Sequence, residues 1–229
     1  MFIDPLYIIM IVPALLLSIY AQIKVKSSYS KYSKIPTSTG ISGAHAARMI
    51  LDSEGIADVG IEVSKDFLTD HYDPRTKVLR LSKEVYMGES LASVGIAAHE
   101  VGHAIQHARG YMPLRARSAL VPVSMLGSNL AWPLLIIGFI FMSKTLITAG
   151  ILFFSLAVLF QIVTLPVEFN ASSRALRALP AAGILSEQET AGARHILSAA
   201  AMTYVAAAAA AVLQLLYFLL RAGLLGGDE

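Results

Sequence analysis

Four long apolar runs divide this chain, and its polar residues gather in the segments between them. The first run is Leu6 to Ile23, with Asp4 placed to cap it and Pro5 at its first helical position. The second and third, Ala119 to Met142 and Leu146 to Val167, are separated only by Ser143, Lys144 and Thr145. The fourth, Ile196 to Leu220, is dominated by alanine and carries Thr203, Tyr204 and Gln214. These lengths suit the roughly 20 residues a helix needs to cross a bilayer. No basic residue precedes the first run and no small-x-small cleavage site follows it, so it reads as an uncleaved span, open to a kink at Pro13. The short joint makes the next two an antiparallel hairpin. Alanine lets helices approach closely, so the fourth reads as a span packed against the others.

Charge at the ends of the runs sets their orientation. Lys24, Lys26, Lys31 and Lys34 follow the first, Arg115 and Arg117 precede the second, and Arg174 and Arg177 follow the third. By the positive-inside rule these ends face the cytoplasm, and both termini lie on the other side. Lys144 is the lone basic residue at the hairpin tip. Trp132 falls mid-span, where packing explains it better than interfacial anchoring.

The polar segments carry shorter patterns. Ser27 to Thr39 reads as a surface linker. Ser42 can cap a helix over Gly43 to Ser53, which Gly55 ends. Ile61-Glu62-Val63 alternates as a strand, and Asp70 to Leu81 reads as a hairpin turning at Asp73-Pro74-Arg75-Thr76. His71, beside that turn, reads as a surface or outer residue and not as a ligand. Leu91 to Ala108 reads as an uninterrupted helix that starts after Gly88-Glu89-Ser90 and stops at Gly110. It is small or apolar almost all round and is therefore buried. Ser186-Glu187-Gln188-Glu189 is a capping box that opens one more helix.

The Leu91–Ala108 helix holds His99-Glu100-Val101-Gly102-His103. Histidines four residues apart on a helix lie one turn apart on the same face and can grip one ion, while the glutamate beside them can take a proton from water. A buried helix rich in His and Glu needs partners for those groups, and a metal serves several at once. Composition then narrows the class. Of 229 residues, 55% are hydrophobic and 15% charged, against about 25% charged in soluble domains, so the apolar runs belong in a membrane. There is no cysteine, which excludes disulfides and thiolate ligands. A net charge of +2 without a basic stripe gives no reason to expect nucleic acid.

A catalytic zinc site needs a third protein ligand and an open position. His107 lies two turns, about 12 Å, from His99 and is too far for the same ion, so an outer or helix-end role suits it. The longer motif that would supply a third His fails, since Gln106 and Arg109 stand where Gly and His are needed. Glu168, at the cytoplasmic end of the third span, is the leading candidate. Arg174, Arg194, His195 and Tyr204 are candidates to stabilise an oxyanion. A strand just ahead of the motif helix could hold a substrate backbone by edge pairing.

His-Glu-Val-Gly-His-Ala-Ile-Gln, the Asp70-to-Ser82 hairpin and Leu165-Pro166-Val167-Glu168-Phe169-Asn170-Ala171-Ser172 resemble the neutral zinc metallopeptidases of the bacterial YugP type. The order of parts is also similar to the heat-shock and prenyl-protein membrane proteases. The resemblance extends over nearly the whole chain. It implies a mainly α, integral membrane protein with about four transmembrane helices and a small α+β zincin-like, gluzincin-like domain at the membrane surface. The divisions are a first span at 1–23, the domain with the motif helix at 24–118, a membrane hairpin at 119–167, a third-ligand helix and a returning helix at 168–195, a fourth span at 196–221 and a tail at 222–229. It implies one Zn2+ per chain, held by His99, His103 and Glu168, with Glu100 as base. Ser172 departs from the pattern, standing where the larger clan has an Asp that orients a ligand histidine. Asn170 or a backbone carbonyl is expected to substitute.

The activity this implies is endopeptidase hydrolysis at the cytoplasmic face. Glu100 would accept the proton of the attacking water and pass it to the leaving amine. Expected partners are protein or peptide substrates, membrane proteins foremost, and the lipid bilayer; the location suggests quality control of membrane proteins. The alternative is a zinc-holding membrane scaffold or chaperone-like component, although a structural site normally closes with a fourth ligand.

Overall fold

The computed structural model describes residues 4–64 and 69–225, so Gly226 to Glu229 of the expected tail lie outside it. The fold is mainly helical. Its elements are α1 (Pro5–Tyr32), α2 (Gly43–Ser53), β1 (Gly60–Val63), β2 (His71–Asp73), β3 (Val78–Leu81), α3 (Lys83–Met87), α4 (Leu91–Ala108), α5 (Met112–Ile140), α6 (Lys144–Ala181) and α7 (Glu187–Arg221). Among the described residues, α1, α5, α6 and α7 are long and apolar enough to cross a membrane. The chain divides into two compact units. One comprises Met1–Ala21, Arg115–Pro166 and Thr203–Glu229; the other comprises Gln22–Leu114 and Val167–Met202.

In the first unit, glycines bring helices into backbone contact. A Cβ on Gly127 would lie 2.6 Å from the carbonyl oxygen of Phe153, and one on Gly138 would lie 2.8 Å from the amide nitrogen of Ile147. Small residues at such crossings allow the van der Waals packing that drives helix association in lipid. Trp132 stays half exposed and meets Phe154 and Phe218 edge-on. The Tyr217 hydroxyl donates to the Asp4 carboxylate at 3.2 Å, and Arg221 pairs with the same group at 3.6 Å. Lys144 and Arg221 line one cavity, so the hairpin tip and the end of α7 share one end of this unit.

The second unit is α+β. Strand order is β1-β3-β2, with β1 parallel and β2 antiparallel to the central β3. Leu79 and Leu81 alternate inward from β3 and pack with Ile50 and Leu51 of α2, Val94, Val101 and Ile105 of α4, and Leu179. Ser42 caps α2 and Ser90 caps α4, each through its hydroxyl, and Gly55 and Gly110 take the left-handed conformation just past the ends of these helices.

Several expected boundaries move. α1 continues to Tyr32, so much of the expected Ser27–Thr39 linker is helix; its serines and lysines are compatible with a polar helical end. Residues 168–181 are the continuation of α6 and not a separate third-ligand helix. The capping-box helix and the fourth apolar run are likewise one helix, α7, whose start is fixed by reciprocal Ser186–Glu189 hydrogen bonds. The short helix α3 and the parallel pairing of β1 with β3 were not foreshadowed by any local pattern.

Candidate metal centre

All the groups of this centre belong to the second unit. Gly102 allows α4 to approach α6 at backbone distance, since a Cβ there would lie 2.5 Å from the carbonyl oxygen of Ala171. This close approach places Glu168 against the histidine pair. Glu168 is buried, and its Oε2 lies 3.3 Å from His99 Nε2 and 3.6 Å from His103 Nε2. One donor atom from each residue falls within 4.8 Å of the others. A tetrahedral ion with bonds of about 2.0–2.1 Å sets its ligand atoms about 3.3 Å apart, so the spacing fits a shared zinc.

The hydrogen bonds behind these side chains support the same reading. Gln106 is fully buried, and its Nε2 donates to the Val167 carbonyl at 2.8 Å and to Asn170 Oδ1 at 3.0 Å. Its Oε1 can only accept, so His103 Nδ1, 3.1 Å away, must carry the proton. A neutral His103 then turns the lone pair of Nε2 toward a carboxylate oxygen. Two acceptors in that position require a cation between them, either a second proton on the imidazole or a metal.

On the other histidine, the Ser172 hydroxyl lies 3.1 Å from His99 Nδ1. This corrects the expectation that Asn170 or a carbonyl would substitute there, because serine itself reaches the ring. Asn170 instead accepts from Gln106 and from Arg174 Nε at 2.8 Å, and Arg174 also lies over the Tyr111 ring. Gln106 was legible only as a break in the longer histidine motif; a glutamine three residues after His103 on a buried face was the available signal.

Glu100 is 9% exposed. Burial pushes its carboxyl above the usual range, and the His99 and His103 imidazoles pull the other way. The remaining sequence candidates lie elsewhere. His107 is not among the three clustered donors; its Nδ1 shares a 2.9 Å hydrogen bond with the Tyr72 hydroxyl, whose pKa burial pushes up to about 12. His71 is exposed and bonds the Thr69 carbonyl. His195 is exposed and stacks on Tyr32, Arg194 is exposed, and Tyr204 belongs to the other unit.

A pair of partly exposed imidazoles closed by one buried carboxylate, with a second buried carboxylate beside it, is a donor set suited to zinc and to proton transfer. The family described as "Putative neutral zinc metallopeptidase" matches residues 7–223. The chain belongs to this family. It is also 47% identical over 215 residues to "Putative membrane protease YugP" of Bacillus subtilis (strain 168), covering 94% of this chain and 96% of that protein. No solved structure matches it. Family membership supports zinc as the metal and a hydrolase of peptide bonds as the general class, and the four apolar helices agree with a membrane protein.

Proposed function

We propose that this chain is a membrane-embedded, zinc-dependent endopeptidase. One zinc would be held by His99, His103 and Glu168, and Glu100 would act as the base. The observation that carries this reading is the convergence of three donor atoms within 4.8 Å beside a buried fourth group, Glu100. Zinc bound there would acidify a water and polarise a substrate carbonyl. Glu100 accepts the proton and returns it to the leaving amine. Gln106 and Ser172 hold the two imidazoles through Nδ1, and Asn170 and Arg174 brace Gln106 from behind.

The domain that does this is zincin-like in our reading, assembled from residues 24–118 and 168–195. The apolar helices support a multi-pass chain, and Arg115, Arg117, Arg174 and Arg177, clustered in sequence, support a site at the cytoplasmic face. Asp4 beside Arg221, and the cavity shared by Lys144 and Arg221, support an even number of crossings, because the three segments meet at one end of their unit. Membrane-protein tails and loops are then the reachable substrates, and membrane-protein quality control is the matching role.

The test uses full-length protein purified in mild detergent. The expected result is close to one zinc per chain, casein cleavage that stops on chelation, and recovery on adding zinc back. Metal-independent cleavage, or zinc binding with no cleavage of casein or of membrane-protein tails, would overturn the enzyme reading. A further expectation concerns Gln106→Leu. This keeps the volume but removes the acceptor at His103 Nδ1, and zinc affinity should fall about 10–100-fold in chelator competition, as for other partners of metal-ligating histidines.

A further inference from the structure

Within the first unit, α5 and α6 form a groove lined by Ser124, Ser128, Asn129 and Gln161 together with Met125 and Phe160. The polar residues sit inside apolar runs. Asn129 comes 12 residues after Arg117, about 18 Å along a helix, and Gln161 comes six residues before Val167, about 9 Å from that end. Both positions fall within the hydrocarbon if α5 and α6 span. The Ser124 hydroxyl is satisfied by the Val121 carbonyl at 2.9 Å. Asn129 and Gln161 have no hydrogen-bond partner among the described residues, and Asn129, Ser128 and Met125 are exposed on the surface of the unit. Lipid tails offer such amides neither a donor nor an acceptor, so leaving them bare is costly.

We infer that this groove is a two-fold interface between two copies of the chain, in which Asn129 and Gln161 of one copy hydrogen-bond those of the other. A partner in a membrane must present its polar groups at the same depth. A second copy inserted the same way does so automatically about an axis normal to the bilayer. Carboxamides each carry a donor and an acceptor, so the patch is complementary to itself. Amides and small hydroxyl residues are the groups that join helices in lipid. The inference rests on the membrane placement of α5 and α6 and not on the zinc site, so it can fail while the peptidase reading stands.

The absence of cysteine makes the experiment clean. Met125→Cys, or Ser128→Cys one turn along, is introduced alone into the full chain and cross-linked in native membranes. A covalent dimer is expected, well above the yield from Ile9→Cys on the exposed face of α1. Adding Asn129→Leu and Gln161→Leu should cut the dimer yield at least several-fold. Leucines suit apolar helices, and an unchanged unfolding temperature in detergent will show that the variant is folded. Cross-linking no better than the α1 control, or a yield indifferent to the leucines, would overturn the interface. So would a leucine variant that stops cleaving a membrane substrate while no dimer forms at either cysteine, since the groove would then receive another protein's helix.

Discussion

Glu100→Gln is expected to reduce kcat for peptide hydrolysis by about 10²–10⁴-fold while leaving zinc bound, the range typical of a removed general base. The amide has the shape of the carboxylate but cannot accept a proton from water. Its neutrality also suits a buried position, so the fold should tolerate it. The measurement pairs turnover of a casein-derived peptide with metal content of the same preparation. A variant that turns over like the parent places the base elsewhere; one that loses both zinc and activity makes Glu100 a structural or ligating group. The pH profile gives an independent check. A base works only when ionised, so activity should rise with pH as Glu100 loses its proton. That acid limb should be missing from the residual activity of the glutamine variant.

Glu168→Gln should abolish stoichiometric zinc. Its carboxylate faces both imidazoles, at 3.3 and 3.6 Å, and the amide keeps its volume while removing the charge. Loss of affinity should exceed the roughly 100-fold ceiling of residues that act through a ligand. Stability separates this from simple misfolding. A ligand at 1,000 times its Kd stabilises a protein by about 4 kcal/mol, so zinc should raise the unfolding temperature of the parent and leave that of the variant unchanged. Equal zinc-dependent stabilisation in both would show that Glu168 is not the third ligand.

The elements legible in the sequence were those with a local physical signal. Apolar runs marked the long helices, Ser42 and Ser90 marked the starts of α2 and α4, and Asp73-Pro74-Arg75-Thr76 marked the hairpin. His99 and His103 declared themselves by helical spacing. Glu168 was legible as an acidic residue at the edge of an apolar run, and the structure does bring it to the pair. What stayed hidden was non-local. That α6 runs unbroken past Glu168 cannot be read from hydrophobicity, because its second half is amphipathic and packs Ala171, Ala175 and Leu179 inward. The Gln106–Asn170–Arg174 network joins residues far apart in the chain, and Ser172 was recognisable only as a departure. The tight fit of Gly102 against Ala171 joins two helices far apart in the chain and has no local signal.

The continuity of α6 also has a consequence in time. The two histidines leave the ribosome some 65 residues before Glu168 does, and the two apolar segments of the hairpin come between. At about 5–20 residues per second, the nascent chain spends several seconds with only half of the proposed ligand set. Peptidase activity would therefore be withheld until the hairpin has been delivered to the membrane. A chain stalled during synthesis, or one whose insertion failed, would be born inert.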